Sequence, residues 1–108
     1  MDMESTVMEL IINAGESRSY AMEALRAAKQ GQWEQVDEKL AASAAALKRA
    51  HDVQTMLIGM DEGCGKVQVN LILVHAQDHI MTSMLARELI SELIDVQRQM
   101  QNLTYGSH

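Results

Sequence analysis

The feature that most limits the fold of this chain is the spacing of apolar residues in its last third. From residue 67 to residue 103, apolar side chains return every three or four positions, which is the period of one helix face. A strand would alternate with a period of two. The spacing therefore predicts one long helix with a stripe formed by Val67, Leu71, Val74, Asp78, Met81, Leu85, Leu89, Leu93, Val96, Met100 and Leu103.

Two earlier segments repeat the helical spacing. The first runs from residue 7 to residue 28, is interrupted around Gly15 and Arg18, and is followed by Gly31 as a C-terminal stop. The second runs from Trp33 to Ile58. The chain has no proline and is rich in helix-forming residues. Three helices with short connections predict an all-α protein, an antiparallel three-helix bundle.

The length and charge of the chain exclude several classes of protein. Its 108 residues are enough for a single core, so we expect one domain over residues 1–103 and a disordered tail over residues 104–108. The net charge of -6 and the scattered basic residues argue against nucleic acid as a partner. No apolar run is long enough to span a bilayer, and Cys64 has no second thiol for a disulfide. These features predict a cytoplasmic protein without membrane insertion.

The third helix is apolar on nearly all sides around residues 69–76. A three-helix monomer covers only one face of each helix, so another surface must pack against this segment. Self-association is the simplest explanation, and symmetric oligomers are its usual form.

One polar cluster interrupts this apolar helix, at His75, Asp78 and His79. The two histidines are one turn apart, and the aspartate takes a position in the stripe that we expect to be core. A buried carboxylate costs several kcal/mol unless it is paired, and no basic residue lies within a turn. An arginine or lysine from elsewhere, a hard cation such as Mg²⁺ or Ca²⁺ shared by symmetric copies, or a zinc site with both histidines would each satisfy it.

Spacing alone does not separate these possibilities. The two histidines could equally be satisfied core residues, and a His-x-x-x-His pair without the glutamate of a metalloprotease is a weak signal. His51 and Gln54 lie beside the apolar stripe of the second helix and could approach the same cluster.

The segment Leu73–Ile94, LVHAQDHIMTSMLARELISELI, resembles the signature helix of the phosphotransferase system IIA family for lactose, cellobiose and chitobiose. The stretches Leu10–Ser19 and Ala50–Ile58 resemble the first-helix and second-helix patterns of that family. The resemblance covers residues 4–102. The run Met81–Ile90 looks closer to the chitobiose branch than to the lactose branch.

The resemblance implies a homotrimer of three-helix protomers that acts as an enzyme of sugar uptake. His75 would accept a phosphoryl group from phospho-HPr and pass it to a cysteine of the IIB component, during uptake of chitobiose, cellobiose or lactose. Asp78 would meet its symmetry mates around a divalent metal ion, Mg²⁺ being expected, at the trimer axis. The candidate positioning residues around the imidazole are His79, Gln77, Gln54 and His51.

A neutral imidazole suits this chemistry, since its free nitrogen is a nucleophile at cytosolic pH and its phosphoramidate remains reactive. The alternative, from another class of protein, is a non-enzymatic helical oligomer with a structural divalent-metal site built from His75, Asp78 and His79. That alternative predicts stoichiometric zinc and no phosphorylation.

Overall fold

The three apolar stripes correspond to three helices in the structure. In a computed structural model, which describes the backbone of residues 2–106 and the side chains of residues 2–103, α1 spans Met3–Lys29, α2 spans Trp33–Asp61 and α3 spans Leu71–Gly106. Residues 2–106 contain no strand. The helices pack into a rod of 63 × 19 × 19 Å. The predicted all-α three-helix bundle is confirmed.

The ends of α1 follow the expected chemistry. The carboxylate of Asp2 accepts a hydrogen bond from the Glu4 amide (3.2 Å), a backbone donor that a helix start leaves free, and another from the Ser5 hydroxyl (2.7 Å). Gly31 follows the last turn with a φ of 73°, a conformation that glycine adopts without a steric penalty. The prediction that Gly31 stops the first helix is confirmed.

The third helix begins later than the sequence predicts. It starts at Leu71 and not at Val67, because the carboxylate of Asp61 accepts hydrogen bonds from the amides of Gly65 (3.3 Å) and Val67 (3.1 Å). These bonds hold the connection in a turn. Asn70 then caps the helix, since its side-chain oxygen accepts from the Leu73 amide at 3.0 Å. The buried Val67 packs from the loop.

At its other end, α3 continues to Gly106 and includes the first three residues of the predicted tail. Residues 107–108 lie outside the described part of the chain. The division of the chain at residue 103 stays a prediction. Within residues 2–106, no helix has the length and apolar character needed to cross a bilayer.

The first helix packs along both of the others, whereas α2 and α3 touch at few positions. Two serines fix α1 against α2. The Ser17 hydroxyl donates to the Ser43 carbonyl (2.9 Å), and the Ser43 hydroxyl donates to the Ser17 carbonyl (2.7 Å). Because both side chains are small and fully buried, the two helix backbones approach closely at this level.

The two sides of α3 have different surroundings. Its inner face packs on α1 and buries Ala76, Ile80, Ser83, Ile90 and Ile94. We use "outer stripe" for the opposite face, whose side chains are between 43% and 84% exposed: Leu71, Val74, Met81, Leu85, Leu89, Leu93, Val96, Met100 and Leu103, with Asp78 among them. The apolar stripe that the sequence marks as the strongest is therefore not the core of the chain.

Candidate functional site

Asp78 lies in the middle of the outer stripe, between Val74 and Met81. The expectation that it occupies a core position of the chain is wrong, because its side chain is exposed. No lysine or arginine among the described side chains forms an ion pair with it. The cost of burying its charge would arise only where another molecule covers the outer stripe.

His75 and His79 form a stacked pair beside that stripe. Their ring centroids are 5.8 Å apart and their planes differ by 18°. The spacing of four residues accounts for this arrangement, since it places the two side chains one above the other on the helix. His75 is exposed, and His79 is half-buried against α1. The structure therefore leaves one imidazole open to an incoming molecule and holds the other beside it.

Gly15 of α1 makes room for the inner imidazole. A Cβ atom at this position would lie 3.2 Å from Nε2 of His79, closer than ordinary van der Waals contact. A glycine inside a helix costs roughly 1 kcal/mol relative to alanine, so it needs a local reason. The close approach of the ring supplies that reason. An isolated glycine in an apolar helical pattern was the one signal in the sequence that pointed to this contact.

The electrostatic surroundings of His79 disfavour its charged form. Burial lowers the pKa of His79, and the positive charges of Arg18 and of a protonated His75 lower this pKa further. Arg18 is exposed on α1, one turn beyond Gly15, and forms no ion pair within residues 2–103. The apolar stripe of α1 indicates no role for Arg18, because a stripe does not show which α1 side chains face α3.

Gln54 and Gln77 lie together on another side of α3. The side-chain amide of Gln54 donates to Oε1 of Gln77 at 2.7 Å. Gln77 follows His75 by two residues, which is about 200° around the helix, so the two side chains lie on opposite sides of the outer stripe. The structure thus brings the two predicted glutamines to each other but not to His75 of the same chain.

His51 also lies on the glutamine side of α3. It is exposed and lines a groove of about 290 Å³ between α2 and α3, together with Leu47, Met84 and Arg87. Met84 is one helical heptad beyond Gln77 and faces the same way. Of the four candidate positioning residues, only His79 accompanies His75 within one chain.

The described side chains do not form a complete metal site. Within residues 2–103, no three His, Cys, Asp or Glu side chains converge to hold an ion. A zinc site made by His75, Asp78 and His79 of one chain is therefore not formed. Carboxylates from several copies would still suit a hard divalent cation.

Comparison with known proteins places these features in a family. Residues 5–98 match the family described as PTS system, Lactose/Cellobiose specific IIA subunit. The N,N'-diacetylchitobiose-specific EIIA component of Escherichia coli strain K12 is 54% identical over 99 residues, which are 92% of this chain and 85% of that protein. The lactose-specific EIIA component of Streptococcus mutans is 33% identical over 98 residues, 89% of this chain and 94% of that protein.

The fold agrees with the sequence match. The IIA(Chitobiose) chain solved in complex with HPr from Escherichia coli superposes with a TM-score of 0.82 at 51% identity, over 94% of this chain and 98% of that one. The higher identity to the chitobiose protein than to the lactose protein confirms the branch that residues 81–90 suggested.

Proposed function

The chain belongs to the lactose/cellobiose-specific IIA family of the sugar phosphotransferase system, and from that membership we propose that it carries a phosphoryl group on His75. The donor would be phospho-HPr, and the acceptor a cysteine of the IIB component. The relay would serve uptake of a β-linked disaccharide at the cytoplasmic side of the membrane. The Escherichia coli relatives, named for N,N'-diacetylchitobiose and solved in complex with HPr, support this choice of partner and sugar.

The observation that carries the proposal is an exposed imidazole held by a stacked neighbour. His75 is open to a docking protein, while the His79 ring beside it is packed against Gly15. Transfer of a phosphoryl group between two proteins needs a nucleophile at the surface and little movement of the groups around it. The stack restricts the ring of His75 without covering it.

The transfer step balances without a further reactant. The lone pair of Nε2 of His75 attacks phosphorus, and the phosphorus–nitrogen bond of phospho-HPr breaks as the new one forms. The electron pair of the broken bond returns to the HPr imidazole, which takes up a proton. The ring of His75 gives up its Nδ1 proton to solvent. One phosphoramidate is exchanged for another. In the next step the thiolate of the IIB cysteine would attack the phosphorus in the same way and take the group from His75.

The proposal includes a homotrimer built on the outer stripe. Nine large apolar side chains along one helix face exceed what a lone soluble chain usually leaves uncovered. A three-fold axis along this stripe would put the histidine side of one copy next to the glutamine side of its neighbour. The positioning roles of Gln77 and Gln54 then fall to a neighbouring copy, which accounts for their separation from His75 in a single chain.

A divalent metal belongs to the same proposal. Asp78 of each copy would face the axis, and carboxylate oxygens are the ligands that Mg²⁺ prefers in proteins. Asp78 is exposed and unpaired within the described side chains, so it is available for such a role. The metal would relieve the repulsion between like charges.

A phosphorylation assay tests the function. The chain is incubated with enzyme I, HPr and phosphoenolpyruvate, and its mass is measured. We expect an increase of one phosphoryl group per chain, no increase for His75→Gln, and a normal increase for Gln99→Ala, which changes an exposed residue far along α3.

Peptide mapping then identifies the modified residue. We expect phosphate on His75, and His79→Ala should slow the transfer without preventing it. Phosphate on His79, or uptake by the His75→Gln variant, would contradict the assignment.

A further inference from the structure

Building on that proposed function, we propose that Arg18 of α1 binds the phosphoryl group while it resides on His75. Arg18 would then be a catalytic residue supplied by the first helix. Three observations support the proposal: its position relative to the stacked imidazoles, the absence of a carboxylate partner, and the charge that the site must accommodate.

The position follows from the packing of α1 against α3. Gly15 touches the His79 ring, and Arg18 lies three residues later on the same face of α1. Helical side chains lean toward the N-terminus of their helix, so the Arg18 side chain extends back over the turn that contains Gly15. The pKa of His79 responds to the Arg18 charge, which agrees with this placement.

The neighbouring carboxylate on α1 is already engaged. Glu16 forms an ion pair with Arg49 at 3.1 Å, and the Arg49 guanidinium also donates to Asn13 at 3.0 Å. That network ties α1 to α2 and faces away from α3. Arg18 itself forms no ion pair within the described side chains. Its charge therefore remains available on the side of α1 that packs beside His79.

A phosphoryl group on His75 would supply the anionic partner that Arg18 lacks among the described side chains. It carries nearly two negative charges at neutral pH, and a planar guanidinium matches its oxygens with two parallel hydrogen bonds. During transfer, charge is spread over the three equatorial oxygens, where a fixed cation stabilises it. A chain of net charge -6 would otherwise repel this group.

The experiment compares three variants in single-turnover transfer from phospho-HPr. Arg18→Gln removes the charge, whereas Arg18→Lys keeps the charge but loses the planar guanidinium that can make two parallel hydrogen bonds. The control, Arg26→Gln, makes the same charge change on an exposed residue two turns further along α1. We expect Arg18→Gln to lower the maximal rate roughly ten- to a hundredfold. Arg18→Lys should recover part of the loss, and Arg26→Gln should match the parent.

A second measurement separates phosphoryl binding from docking of HPr. In Arg18→Gln the maximal rate should fall, while the HPr concentration that gives half of the maximal rate should stay unchanged. The ³¹P resonance of the phosphorylated variant should also shift relative to that of the parent. A change confined to the half-saturating HPr concentration would overturn the proposal and make Arg18 a docking residue. Equal rates for Arg18→Gln and Arg26→Gln would also overturn it. If the parent chain accepts no phosphoryl group, the proposed function itself fails.

Discussion

In most helices of a globular chain the main apolar stripe faces the core, but in α3 it lies on the exposed outer face. The inner face, which packs on α1, consists of alanine, serine and isoleucine, whereas the outer stripe consists of leucine, methionine and valine and is exposed in the single chain. The alanine and serine of the inner face leave room for α1, and its isoleucines fill the core. The exposed apolar side chains of the outer stripe suit a contact with other molecules. The strongest apolar period in this sequence therefore marks the face that we propose for contact between chains.

A charge placed in the outer stripe should have the largest effect. Asp78→Lys would put three like charges at the proposed axis without a metal to neutralise them, so we expect monomers in sedimentation experiments. Asp78→Leu removes the charge and adds apolar area, so this variant should stay trimeric, lose any dependence on chelator and be at least as stable as the parent. Glu38→Lys, an exposed site on α2, is the control. A monomeric parent, or a monomeric Asp78→Leu variant, would show that Asp78 is not at an interface.

Equal truncations on the two faces should separate folding from assembly. Ile80→Ala empties a fully buried position and should lower the free energy of unfolding by about 2–5 kcal/mol. Leu89→Ala on the outer stripe should cost little in the separated chain, but should make the melting temperature depend more steeply on protein concentration. Thermal melts over a range of concentrations measure both effects. If both variants lose stability independently of concentration, the two faces do not differ in function.

At the junction between α1 and the inner edge of α3, Gly15→Ala should have a smaller and two-sided effect. Alanine is favoured over glycine in a helix by roughly 1 kcal/mol, but the added Cβ would press on the His79 ring at 3.2 Å. Because that ring is only half-buried, we expect it to shift, so that stability is kept while phosphoryl transfer slows. Chemical denaturation and the transfer assay test the two halves separately. A strong loss of stability would mean that the ring cannot move.

The smallest expected effect concerns the protonation of His79. Because its pKa is lowered in the folded chain, the unfolded chain binds more protons just below the usual histidine pKa of 6.5, and stability falls as the pH decreases through this window. Arg18→Gln should raise the pKa of His79, since it removes a nearby positive charge. An NMR titration of the imidazole resonances measures this shift, with Arg26→Gln as the control. An unchanged pKa would place Arg18 too far from the ring to act on it.

Sequence periodicity was sufficient for the three helices, because each has an apolar or small stripe of the right period. It could not place the start of α3, since the hydrogen bonds of Asp61 and Asn70 decide that boundary locally. It also misplaced Asp78, because a period shows that a face is apolar and not what covers it. The remaining predictions depend on how the helices face one another.

In the candidate site, too, spacing within one helix was predictive, whereas contacts between helices were not. The spacing of four predicted that His75 and His79 lie together, and the structure confirms this. A rotation of about 200° separates Gln77 from His75, so the two do not meet within one chain, and the positioning role of Gln77 stays a prediction. Gly15 meets His79 through the packing of α1 on α3, and the isolated glycine is the one signal of that contact in the sequence. No pattern within one helix shows that the charge of Arg18 acts on His79.

The interlocked serines of α1 and α2 have a consequence for the order in which the molecule opens. Ser17 and Ser43 join these two helices along their shared core, whereas α3 is held mainly by one narrow face. In dilute solution we expect amide hydrogens of α3 to exchange by detachment of that helix, and those of α1 and α2 only by global unfolding. Concentrating the protein should protect α3 most. The helix that bears His75, the proposed phosphoryl acceptor, would then be fully ordered only when neighbouring copies cover its outer stripe.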